Sequence, residues 1–401
     1  MRKVRWASWT LALAMALAVG GVRPVTALVT SDRAAAILDW PTVITAGPII
    51  NTVIELSNTS AEPVSALCFY ANANSHCAAT GDICIPGLFQ RDDCFLCVPG
   101  WNETDFHVNL TPRQPLGWLA SEGVQGFWGF AGPFGTPLPP PVGVGVFALD
   151  GAVYVGIGGS SNAGSRIPPV PEDPFIGSLR CLVVDPEGGF PVDRNVLKGE
   201  LTLEVLDLGD QMQVAKHNAV GLQAIEGAVN DDNVLVIGGP PEEAEYQGCP
   251  NYLILNHFFD GAGNPVFGPQ PLPPVPNPPV QIVTILDLVP CCEDYLRQIP
   301  GSAVVQYLVY NEFEQRFSTS RPMQCQQISL LSNIDTIQNE RSIFSAGVGG
   351  TLTAQTRMNP IGCGLIAEAV EIHVGDGEFS LASFNVHEQG DRPLADHIIL
   401  P

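Results

Sequence analysis

Lysine is almost missing from this sequence: Lys3, Lys198 and Lys216 are its whole complement, and lysines and arginines together number 18 against 41 aspartates and glutamates. The formal net charge is −23. Phosphates are held by clustered cations, so nucleic acid is excluded as a partner and an anionic membrane surface is disfavoured with it. Long apolar runs are as scarce. The one at residues 9–22 follows Arg2, Lys3 and Arg5 and precedes Val25-Thr26-Ala27. It is shorter than the roughly 20 residues that cross a bilayer, and its basic start and small-residue end are those of a secretory leader. Residues 1–27 are therefore expected to be a signal peptide, leaving a mature chain without a transmembrane segment.

Helical periodicity is confined to Ser31 to Trp40 (SDRAAAILDW), where Ser31 or Asp32 would cap and Pro41 would stop a short helix. Cys291 to Tyr295 allows one further helical turn. Catalytic signatures are missing as well: the chain has no GxSxG, HExxH, Walker or EF-hand loop. Gly156-Ile157-Gly158-Gly159 has the glycines of a phosphate loop but no following helix to supply the dipole, so it reads as an ordinary loop. Seven histidines without paired spacing make no metal site. No catalytic residue, metal or cofactor is expected.

Sulfur is what the chain has in quantity. Cys68, Cys77, Cys84, Cys94, Cys97, Cys181, Cys249, Cys291, Cys292, Cys325 and Cys363 make eleven. In an exported protein these are disulfide candidates first. Cys94-Phe-Leu-Cys97 with His76-Cys77 has the ligand types of a zinc site, but such sites belong mainly to the reducing cytosol. Eleven is odd, so at least one thiol is free or bonds another molecule; the pairing stays open.

The rest reads as strands and turns. Ile50, Thr52, Ile54 and Leu56 alternate with Asn51, Glu55 and Ser57, Val53 alone breaking the pattern; Asn58 to Pro63 supplies turn formers, and Val64 to Tyr70 returns as an antiparallel partner. Phe106, Val108 and Leu110 alternate with Asp105, His107 and Asn109, and similar runs recur to the C-terminus. This predicts an all-β protein of two immunoglobulin-like β-sandwich domains stabilised by disulfides. Residues 28–208 form the first, with its cysteine-rich loop, and residues 209–401 the second; the boundary lies where the pattern weakens around Gly209.

Four features attract functional readings. Phe127, Trp128, Phe130 and Phe134 stand among glycines in GFWGFAGPFG, either as a binding platform for a sugar or partner protein or as a buried plug. Glu312, Glu314 and Arg316 share one face of an expected strand; two strand residues span about 6.6 Å, which overlaps the carboxylate spacing of glycosidases. A charged face that deters aggregation looks the same. His257 reads as a buried histidine beside Leu253 and Leu255, and His387, with Glu388 and Asp391, as part of a polar loop. Asn58, Asn102 and Asn109 each begin an N-glycosylation acceptor triplet.

The stretches NTVIELSNTS with CFYANANSHC, DFHVNLTPRQPLGW and VVQYLVYNEFEQRFSTSR together resemble exported bacterial β-rich proteins to which no activity is attached. The resemblance implies export and β-structure and carries over no site residue. The expectation is an exported, non-catalytic protein that binds, or serves at a cell surface or in a matrix, with a glycan or surface protein as partner. The alternatives are a secreted glycan hydrolase using Glu312 and Glu314, and a fibre subunit joined through the leftover thiol or an unpaired strand edge.

Overall fold

The structure is a computed structural model that describes residues 33–77, 97–99, 101–124, 145–149, 152–156, 167–187, 189–206, 211–228, 232–262, 281–335, 342–345, 351–375 and 378–401. Every regular element among them is a strand, apart from one 3-10 turn at Leu331–Asn333. The chain is all-β as expected, but it does not build two immunoglobulin-like sandwiches. Its strands are shared among five small sheets of five, four, three, five and four strands, in a five-bladed, propeller-like arrangement, with two separate two-stranded ribbons.

The central sheet runs in the order Val220–Leu222, Ile37–Thr45, Phe175–Val184, Val64–Asn72, Asn102–Leu110. A flanking sheet carries Met212–Asn218, Leu197–Leu206, Ile50–Asn58 and Pro115–Leu119. The smallest joins Val234–Ile237, Asp396–Ile399 and Glu293–Asp294. An outer sheet runs Arg316–Gln324, Ser302–Asn311, Thr353–Gly362, Pro250–Phe258, His387–Asp391, and a fifth runs Gln327–Leu330, Gln281–Pro290, Leu365–Gly375, Glu378–Asn385. The blades are not consecutive meanders. Each sheet also joins strands from distant parts of the chain, as where Cys181 stands opposite Cys68.

The central sheet shows why separate domains fail. Along Val64–Asn72 every residue is buried. Val64, Ala66, Cys68 and Tyr70 enter one core, while Leu67 and Phe69 enter a second that also holds Leu235, Tyr246, Val289, Tyr295 and Ile398. A strand buried on both faces leaves no solvent side, unlike the half-exposed strands of a free-standing antiparallel sandwich. The chain also passes residue 208 without changing sheets: Leu203 pairs with Ala215, and Leu38 with Gly221.

Three local expectations change for the same reason. Ile50–Asn58 and Val64–Asn72 are strands, with Thr52, Ile54 and Leu56 buried as the alternation requires, yet they lie in different sheets and do not pair with each other. The expected helix to Trp40 is a strand from Ile37 onward, because Leu38 and Trp40 fill one core while Ile37 fills the other. Pro41 falls where the register shifts between Trp40 and Val43, a place where a missing N–H is tolerated. The expected turn near Cys291 contains the strand Glu293–Asp294, parallel to Asp396–Ile399.

A seam of buried polar groups joins the central sheet to the sheets beside it. Arg180 faces Asp39 directly across the strand pair, and its Nε donates to Asp39 Oδ1 at 2.6 Å. Its Nη1 donates to Glu293 Oε2 at 2.8 Å and its Nη2 to the Pro290 carbonyl at 3.1 Å. Tyr295 donates to Glu293 and stacks on Phe69 at 4.1 Å between centroids. Nearby, Asp287 and Glu368 stand opposite each other, both buried. Asp287 receives Thr42 Oγ1 at 3.0 Å and Gln326 Nε2 at 2.7 Å, and Glu368 meets His217 Nδ1 of the flanking sheet at 2.5 Å. Burial raises the pKa of Asp287 well above the usual carboxylate range against the pull of Gln326 and Thr42, with the Glu368 charge adding to the rise. Asp39 and Glu293 are raised by burial too, each opposed by Arg180. His217 is raised despite burial, because Glu368 favours its cation.

Among the described residues, three disulfides fasten the same region: Cys68–Cys181 within the central sheet, then Cys249–Cys291 and Cys292–Cys363. Their sequence separations of 113, 42 and 71 residues correspond to roughly 4–5 kcal/mol each in the loop-entropy account.

Two outcomes follow from the seam. Arg180→Leu strands Asp39 and Glu293 without a cation and should cost about 3–5 kcal/mol in urea unfolding; a change inside the scatter of surface substitutions would show the seam to be slack. Stability should also fall as pH rises. A carboxyl raised in the folded state contributes stability that is whole below its ordinary value and lost as pH climbs through the folded one. Glu103 is pushed up to about 7 by burial and by Asp105 and Glu293, and Glu388 to about 8 by burial. His217, raised by Glu368, carries the same sign. His257 has the opposite sign, lowered from 6.5 to about 4 by burial, so its contribution is lost as pH falls below 6.5 and there offsets part of the carboxyl effect. Melting temperature should therefore decline most clearly between pH 6.5 and pH 8, where His257 no longer opposes the carboxyls, and Glu388→Gln should flatten the decline.

Candidate functional site

The outer sheet turns its inward face to a core containing Leu253, Leu255, Val305, Tyr307, Val309 and Met358. Its other face is uncovered among the described residues. Residues alternate along each strand, so inward Val305, Tyr307 and Val309 leave Val304, Gln306, Leu308 and Tyr310 pointing out. Register then sets out rows that cross the sheet. Arg316, Tyr310, Gln355 and Asn256 form one, and Ser318, Leu308, Arg357, Ile254 and His387 the next. Ser320, Gln306 and Asn359 form a third, which Tyr252 opposite Gln389 continues.

In a chain this acidic the composition of that face is unusual. Among the outward positions of its strands Asp391, at one corner, is the single carboxylate; Glu388 lies on the inward side, opposite buried Leu253. Amides fill much of the rest. Asn359 Nδ2 donates to Gln306 Oε1 at 3.3 Å, Gln355 Nε2 to Asn256 Oδ1 at 3.3 Å, and Arg357 Nε to Gln355 Oε1 at 3.2 Å.

Alongside the first row the face borders an open cleft of about 540 Å³, lined by Tyr310, Gln355 and Asn256 of that row with Phe258, Thr353, Glu312 and Glu371. His373 Nε2 approaches Glu371 Oε1 at 2.6 Å and packs edge-on against Phe258. Glu312 accepts the backbone N–H groups of Leu352 at 2.8 Å and Thr353 at 3.2 Å. Slight burial pulls its pKa upward, but these hydrogen bonds outweigh it and hold it below the usual range. A carboxyl held ionised in this way is unsuited to act as a general acid.

The pairing expected of Glu312 and Glu314 is not found. Both lie in the turn between Ser302–Asn311 and Arg316–Gln324, with Glu314 at φ 61°, so they do not share a strand face with Arg316. The turn is shaped by Asn311, whose Oδ1 receives the N–H groups of Phe313 and Gln315. The strand reading failed because Asn311 competes for backbone donors, a signal visible in the sequence.

Other expected residues fall in several places. Phe127, Trp128, Phe130 and Phe134 lie outside the described residues, as do Cys84, Cys94 and residues 1–27. Cys77 stands opposite Cys97 in the small ribbon Ser75–Cys77 with Cys97–Pro99. His257 is buried as expected, with Nε2 2.7 Å from Thr356 Oγ1. His387, Glu388 and Asp391 lie on an edge strand rather than a loop. Asn58 is an unsuitable glycan acceptor: it is buried and its amide donates to the Glu62 and Thr111 carbonyls. Asn102 and Asn109 are exposed.

Among the described residues, one group of potential metal ligands converges, Cys249 with Cys291 and Asp396. Its two sulfurs are bonded to each other, and Asp396 accepts the Gly364 N–H at 2.9 Å and lies 3.4 Å from Arg392 Nε, so the group is structural.

Cys325 is the free cysteine among the described residues and is buried, with Sγ 3.8 Å from the Asn72 carbonyl. Burial, then the charges of Glu293 and Asp287, push its thiol far above the usual range. Peptide mapping after alkylation should find Cys325 unlabelled in the native protein at pH 8 and fully labelled in denaturant. Labelling at equal rates in both would place the thiol at the surface.

A comparison with protein-family models gives no match, and a comparison with curated protein sequences gives none either.

Proposed function

We propose that this is an exported protein that recognises a partner without transforming it, acting at a cell surface or in a matrix, with the outer sheet face as its contact surface. Export rests on the leader-like residues 1–27 together with three disulfides in the described chain, which favour an oxidising compartment. No helix among the described residues is long and apolar enough to cross a membrane. The observation that carries recognition is the five-stranded face, uncovered among the described residues, its side chains held in fixed rows by the sheet. Rigid strands place contact groups with little entropy left to lose on binding.

The hydrolase alternative has lost its strand-borne carboxylate pair. The fibre alternative loses the thiol of Cys325 as a link, since that sulfur is buried.

The test is fractionation of the producing cells. Intact protein should be found outside the cytoplasm and retained with envelope or matrix material, whereas the exposed-face variant Gln306→Glu, with unchanged melting, should be released several-fold more into the medium. Retention of the variant equal to the native protein would remove the face from the reading, and cytoplasmic recovery of the native protein would remove export.

A further inference from the structure

Resting on the recognition reading above, we infer that the partner of the outer face is a neutral glycan chain lying along its rows. The chemistry of the face selects by elimination. On the face itself a basic partner finds only Asp391 at the corner, with Glu312 and Glu371 confined to the cleft beside it, in a protein of 41 aspartates and glutamates. An acidic polymer finds Arg316 and Arg357, one in each of two rows, and Arg357 is already turned to Gln355. Phosphate and sulfate chains need denser cations than that.

What the face offers in number is the primary amide. Each Asn or Gln carries two N–H donors and a carbonyl acceptor, so one side chain can give to and take from neighbouring hydroxyls. The Gln306–Asn359 and Gln355–Asn256 pairs spend one donor and one acceptor on each other and keep the remainder for a ligand. That mutual bond holds both amides in place before binding, which lowers the ordering cost. Tyr252, 37% exposed, and half-buried Tyr310 add ring faces in two of the rows, on which the apolar side of a sugar ring can lie. Neighbouring strands stand about 4.8 Å apart, so successive side chains of one row meet a chain that crosses the sheet at regular intervals. The flat face suits the middle of a polysaccharide, and the cleft beside Tyr310 leaves space where the chain leaves it.

The experiment is affinity electrophoresis of the native protein in gels containing one soluble polysaccharide each: hydroxyethylcellulose, mixed-linkage β-glucan, galactomannan, glycogen, or the acidic polymers alginate and heparin. At least one neutral polymer should retard migration, and the acidic ones should not. Tyr252→Ala and the double variant Gln306→Ala with Asn359→Ala should each weaken that retardation at least ten-fold while melting as the native protein does. Glu62→Gln, away from the face, should leave it unchanged. Retardation by the acidic polymers alone overturns the ligand class and leaves recognition standing. Neutral binding that survives both variants overturns the placement. No retardation by any polymer overturns the inference, while the fractionation result decides separately whether the recognition reading stands.

Discussion

The fold depends on keeping four carboxyl groups out of water between sheets that share a wall. Asp39, Asp287, Glu293 and Glu368 are all buried, and the cations that face them are Arg180 and His217. Charge in such a place is tolerable only when it is paired or neutralised. Arg180 serves two of the acids and His217 a third, while Asp287 is driven towards its protonated form and held by Thr42 and Gln326. Each pairing crosses from one sheet or strand to another, so the arrangement fixes how the sheets meet as well as whether they meet.

Burial of the central sheet on both faces, its edge strand Asn102–Leu110 apart, is the other half of this constraint. Its odd and even residues enter different cores, so no slip of register by one residue could be absorbed. The Cys68–Cys181 bond pins two of its strands in register, and the two other disulfides hold segments around the seam. With the interior thus determined, the outer sheet needs to bury only one side. Its far side is left to present amides, tyrosines and a few cations in ordered rows.

Some of this was legible in residue order. Period-two alternation located strands such as Ile50–Asn58 and Asn102–Leu110 and named their buried side chains, and it placed His257 inside. The outer face could also have been found by noticing that Gln306, Gln355 and Asn359 fall at outward positions without intervening acids. No local pattern reveals it, because those residues belong to two strands, Ser302–Asn311 and Thr353–Gly362, whose adjacency residue order does not state. The Arg180–Asp39 pair was hidden likewise, by a separation of 141 residues.

Alternation and turn chemistry act between residues a few positions apart, so the sequence by itself determined that this chain is β-structured, acidic and rich in sulfur that an oxidising compartment would pair. Which strands adjoin, and hence five small sheets in place of two sandwiches, was decided only in three dimensions. Strand partnership is settled by which faces can be buried together and which buried charges can be matched, and those are properties of the assembled interior.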